Sequence, residues 1–177
     1  MDYERTAGGV FIPSNKLILG GTFLGQLVRD GKIIDEWEDT NLVTNEGLDH
    51  VLDVIFHGGT QVTTWYLGVF EGNYTPVATV TAATITAAST ESTAYDETTR
   101  QAYVEAAVSS QSITNSASKA TFTFNATKTI YGAFLASASA KSATTGTLLA
   151  AARFSSSKAV VDNDQLLLTY TFGASSV

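Results

Sequence analysis

Hydrophobic and polar positions alternate with a period of two over most of this chain. From Thr22 the run Phe23, Gly25, Leu27 interleaves with Leu24, Gln26, Val28, and after Asp30-Gly31 a second run follows, Lys32-Ile33-Ile34-Asp35-Glu36-Trp37. Asp-Gly between two such runs predicts a β-hairpin, because both residues tolerate the positive φ of a type I′ turn. Further strands are expected at Thr64–Glu71, Gln111–Thr114, Ala120–Asn125, Thr129–Ser137, Thr147–Ser155 and Gln165–Phe172. Thr121-Phe122-Thr123-Phe124 and Leu168-Thr169-Tyr170-Thr171-Phe172 alternate as a sheet with one buried face requires. Turns are expected at Glu71-Gly72-Asn73, Asn125-Ala126-Thr127-Lys128 and Asp162-Asn163-Asp164.

The period changes once, at residues 45–57. Asn45 or Thr44 can cap a helix there, Glu46 suits its N-terminal dipole, and Gly58 suits a left-handed C-terminal position. At about 100° per residue, Leu48, Val51, Leu52 and Ile55 share one face, expected to lie on a sheet. Asp49, His50, Asp53 and His57 share the other. Everything after Thr60 reads as β, with the Ala/Thr-rich stretch 78–94 and residues 95–107 as a long connection able to hold short strands. The expected fold is mainly β: an antiparallel β-sandwich or jelly-roll-like barrel with one α-helix at about 45–57. Residues 1–15 hold Gly8, Gly9 and Pro13 without periodicity, and read as an extended N-terminal arm or a loose terminus. The rest, 16–177, forms a single β-rich domain, and no internal repeat is found.

Composition narrows the function classes. The 177 residues include no cysteine, which excludes disulfides and thiolate metal sites. A net charge of −7 and a pI near 4.6 disfavour nucleic acid and anionic membrane surfaces as partners. The longest apolar run, Leu148-Leu149-Ala150-Ala151-Ala152, is far short of a membrane span. The first residues carry acidic groups and no apolar signal core, so synthesis in a cytoplasm is expected.

Candidate chemistry is sparse. His50, Asp53 and His57 share a helix face and could ligate zinc, but the same set is what an amphipathic helix shows to solvent, and no fourth ligand is suggested. Asp35, Glu36, Glu38 and Asp39 flank Trp37. A carboxylate pair could serve a glycosidase, yet neighbours along a strand alternate faces, and charges of this kind protect a sheet edge. Asp162-Asn163-Asp164 resembles half a calcium loop but lacks the glycine and distal glutamate that complete one. Trp37, Trp65, Tyr66 and Tyr74 could stack on a sugar, although aromatics in alternating strands more often build the core. No nucleophile motif and no phosphate loop occurs. Neither catalytic nor metal residues nor a cofactor is therefore assigned, and no enzyme is expected.

Four segments together resemble a family of virion structural proteins of tailed bacteriophages. They are Trp37–Leu48 (WEDTNLVTNEGL), Trp65–Pro76 (WYLGVFEGNYTP), Thr90–Arg100 (TESTAYDETTR) and Lys119–Ala133 (KATFTFNATKTIYGA), and the likeness spans roughly residues 20–172. The resemblance implies a place on a virion, with other copies of the chain and the phage shell or tail as partners, and carries no functional residues. Within it the favoured role is a capsid decoration (cement) protein that binds the major capsid protein lattice as a small homo-oligomer and stabilises the head. A tail, head–tail adaptor or fibre-base protein is the alternative, and a carbohydrate-binding attachment module a further one.

Overall fold

The computed structural model describes the backbone of Tyr3–Arg5, of Phe11–Pro13 and of residues 17–176, with side chains from Leu17 to Ser176. Strands β1 (Tyr3–Arg5) and β2 (Phe11–Pro13) pair antiparallel within the segment read as an arm. β3 (Leu17–Arg29) and β4 (Lys32–Thr40) form the expected hairpin, and Asp30 and Gly31 both take positive φ, 51° and 74°, as a type I′ turn demands. After β5 (Leu42–Val43) comes α1 (Asn45–Leu52), which continues directly into a π-helical turn, Asp53–His57. The remaining elements are β6 (Trp65–Phe70), α2 (Ala82–Ser89), β7 (Gln101–Tyr103), β8 (Ser112–Thr114), β9 (Ala120–Thr123), β10 (Lys128–Ala136), β11 (Leu148–Val160) and β12 (Gln165–Ser176).

Two antiparallel five-stranded sheets make a β-sandwich. One runs β5-β11-β10-β6-β7; the other runs β4-β3-β12, with β8 and β9 sharing the far edge of β12. The inner faces meet in one core, to which Phe23, Leu27, Phe122, Leu166, Leu168 and Tyr170 come from the second sheet, and Leu67, Val69, Ala133, Leu135 and Phe154 from the first. Alternation is clean on the second sheet because its outer face meets solvent.

The first sheet is covered on both faces. A second cluster joins Phe70, Phe134, Ala136, Leu148 and Ala151 to Val80, Ala82 and Ile85, which places α2 on its outer side. A sheet buried on both faces takes continuous apolar runs, and that accounts for Ala133–Ala136 and Leu148–Ala152, which are buried without interruption.

α2 corrects the expectation that everything after Thr60 is β. Its sequence, Ala-Ala-Thr-Ile-Thr-Ala-Ala-Ser, mixes β-branched residues with alanine and has no polar face, so periodicity is silent. What makes the helix is local: the Thr84 hydroxyl accepts from the Thr81 N–H at 3.1 Å, and the Ser89 hydroxyl donates to the Ile85 carbonyl at 2.7 Å. Ala82, Ile85 and Ser89 form the buried stripe. Residues 101–103 do hold a short strand, as allowed for that connection.

Candidate functional site

The helical segment 45–57 is clamped at its start. The Thr44 side chain accepts from the Gly47 N–H at 3.0 Å and donates to the Leu148 carbonyl at 2.5 Å. Glu46 accepts the N–H groups of Ala82 and Leu148 at 2.8 and 2.7 Å, tying α1 to α2 and β11 at once. Gly47 lies against β11 so closely that a Cβ there would sit 2.5 Å from the Leu149 carbonyl oxygen.

That contact fixes the helix rotation. With Gly47 on the sheet, residues at +3, +4 and +7 must follow it inward, and these are His50, Val51 and Val54, which are half-buried. The expected inward face is therefore corrected. Of Leu48, Val51, Leu52 and Ile55, only Val51 packs on the core. Leu52 is 55 % exposed, Ile55 63 % and Phe56 80 %, with Leu48 beside them. The positions 48, 52, 55 and 56 are spaced i, i+4, i+7, i+8, so they make one continuous apolar stripe facing solvent. The π-helical turn and Gly58, at φ 76°, end the element directly beyond Phe56.

Beneath the helix lies a cleft of about 250 Å³, walled by Val51, Val54, Trp65, Tyr103, Leu135 and Phe172, with the largely exposed Ile55 at its rim. The His50 ring meets Trp65 edge-on at 5.5 Å. The Tyr103 hydroxyl is buried without a hydrogen-bond partner among the described residues, and burial pushes its pKa above the ordinary phenol value.

His50, Asp53 and His57 border one open depression of about 580 Å³ together with Glu46 and Asp49, but they are engaged differently. His50 turns inward to Trp65, whereas His57 Nδ1 pairs with Asp53 Oδ1 at 2.8 Å on the exposed side. Among the described residues no group of three or more His, Asp or Glu side chains is arranged to hold a metal ion.

The acidic run is divided by strand alternation. Asp35, Trp37 and Asp39 face the other sheet. Asp35 pairs with Lys158 at 2.9 Å, Lys158 Nζ sits 4.1 Å from the Trp37 ring centroid, and Asp39 accepts the Ser155 N–H at 3.0 Å. Glu36 and Glu38 face solvent on β4, an outer strand of its sheet, with Glu36 bonded to Gln26. Asp164, the last residue of the calcium-like turn, is buried and spends both oxygens on Arg29, at 2.8 and 2.7 Å, and on the Val161 N–H. The Arg29 hydrogen bonds hold its carboxyl below the usual carboxylate range. Trp37 is in the core, Trp65 packs on the core's edge and Tyr74 on the α2 cluster, so these three share no stacking surface, and Tyr66 alternates with Trp65 along β6 to the other face of that sheet.

Sequence reasoning missed the ion pair of Arg100 and Glu91. Both side chains are fully buried, bonded twice at 2.8 and 2.7 Å, and Arg100 also donates to the carbonyls of Ala138 and Ala143. The pair fastens the loop between β10 and β11 and the exit of α2 to the sandwich. Thr90–Arg100 carries both residues, but nothing in their spacing of nine announces a pair.

Among the described residues no helix is long and apolar enough to cross a membrane. The sequence matches no protein-family model and no curated protein.

Proposed function

We propose that the protein is a non-enzymatic structural component of a tailed-phage virion, and specifically a capsid decoration protein. The observation that carries this reading is the apolar stripe Leu48, Leu52, Ile55, Phe56, displayed on a helix whose first turn is tied to β11. An apolar stripe that no element among the described residues covers suits docking into a groove of another protein. Of the carboxylates considered for catalysis, Asp35 and Asp39 are engaged in cross-sheet contacts while Glu36 and Glu38 lie on the outer face, which favours the same reading. The likeness of residues 20–172 to phage virion proteins supplies the partner class, the major capsid protein lattice and further copies of the chain. Weak contacts of this size gain strength by repetition over a shell.

Immuno-gold labelling of intact particles tests the reading. Label over the head is the expected result. Label confined to the tail would make the protein a tail or adaptor component, and unlabelled particles would remove it from the virion.

A further inference from the structure

Strand β3 outruns its neighbour. It pairs with β4 only from Thr22 onward, whereas Leu17 to Gly21 pair with β12 alone. Among the described residues no strand lies on the other side of that segment. Two bonds fix which backbone groups face the open side. The Gly21 carbonyl accepts the Asn41 N–H at 3.0 Å, on the side away from β12. Ala174, opposite Leu19, sends its N–H away from β3, to the Gln111 carbonyl at 3.0 Å. Successive residues of an antiparallel strand alternate in direction, so Leu17 and Leu19 turn both N–H and C=O to the open edge.

Sheet edges are normally guarded by charge, proline or a bulge. β4 obeys this rule with Lys32, Asp35, Glu36, Glu38 and Asp39. The segment Leu17-Ile18-Leu19-Gly20-Gly21 has no such guard, and neither has the facing Gly173–Ser176. Leu17 and Ile18 are 71 % and 50 % exposed.

We propose that this edge pairs with the same edge of a second copy, antiparallel about a two-fold axis at Ile18. In that register Leu17 of each copy faces Leu19 of the other, and each such pair exchanges both of its hydrogen bonds. Ile18 faces Ile18 as the non-bonded pair, where side chains approach most closely and apolar contact is worth most. The free groups are thus self-complementary, as an isologous contact requires. Charge selects the same place: two copies at −7 repel, and a segment without ionisable residues is where they approach at least cost. The proposal does not depend on a role in a virion.

Sedimentation velocity on the full chain over a concentration series tests it. The contact is smaller than the roughly 1,200 Å² of a stable interface, so the expected result is a monomer that shifts toward dimer as concentration rises. Leu19→Pro removes an outward N–H and leaves the β12 ladder intact. Leu17→Lys with Ile18→Lys adds like charges at the axis. Both variants should stay monomeric with unchanged melting, and should Leu19→Pro misfold, the lysine variant decides alone. A wild type that stays monomeric to about 1 mM, the Kd of a minimal specific contact, overturns the proposal. So does a folded variant that dimerises like the wild type, or a dimer lost instead on Phe56→Ser.

Discussion

Asp164 shows at the scale of one residue how a turn is welded to a distant strand. Arg29 holds its folded-state pKa below the unfolded value of about 3.9. The stability this contributes is present above that value and is lost as pH falls through the depressed one. Asp164→Asn should therefore flatten the acid limb of a melting-temperature profile below about pH 4, a change that thermal melts across acidic buffers would read. Arg100 makes a larger claim, because its partner is buried with it. Arg100→Ala strands the Glu91 carboxylate and should cost about 3–5 kcal/mol, or about 6–20 °C in melting temperature for a domain of this size. Arg100→Met combined with Glu91→Leu should recover most of that loss in the same assay. Neither pair was legible beforehand: Arg29 and Asp164 meet only through the long-range pairing of β3 with β12, and Glu91 and Arg100 only once their connection folds against β6 and the β10–β11 loop. The Asp-Gly turn was legible because its backbone requirement is local.

The helix 45–57 illustrates what periodicity can and cannot say about an element. Its existence, its Thr44 cap and its Gly58 end followed from local chemistry. Its rotation did not, because Leu48, Val51, Leu52, Val54, Ile55 and Phe56 cover most of the circumference and leave two possible inner faces. Gly47 was the overlooked signal: a glycine in the first turn of a helix costs stability unless something needs its missing Cβ. The rotation makes a paired prediction. Ile55→Ser and Phe56→Ser should leave chemical denaturation midpoints almost unchanged, within about 0.5 kcal/mol, whereas Val51→Ser should lower them clearly. If the outward pair proved the costlier, the helix would be turned the other way. α2 was missed for the opposite reason, since an alanine- and threonine-rich segment buried on a buried sheet has no polar face to set a period. Ile85→Ala, which opens the α2 layer, should cost about 2–5 kcal/mol in the same experiment.

The whole molecule has three layers, α2 on a doubly buried sheet on a half-exposed one, with the apolar stripe of α1 and its π-helical turn outside them. The sandwich was legible because alternation and turn chemistry agree along β3, β4, β9 and β12. The third layer was hidden in continuous apolar runs that a two-layer reading does not distinguish. On the proposed role for the arm, deleting residues 1–15 should abolish particle binding and leave thermal melting intact, which shell co-sedimentation beside a thermal melt would check. The proposed function seats the stripe 48–56 on a phage head. Co-sedimentation of the full chain with shells assembled from the major capsid protein tests it most directly, run beside the Ile55→Ser/Phe56→Ser double variant. The wild type is expected to pellet with shells to saturation and the equally stable variant to stay in the supernatant. A wild type that fails to pellet, or a variant that pellets just as well, would contradict it.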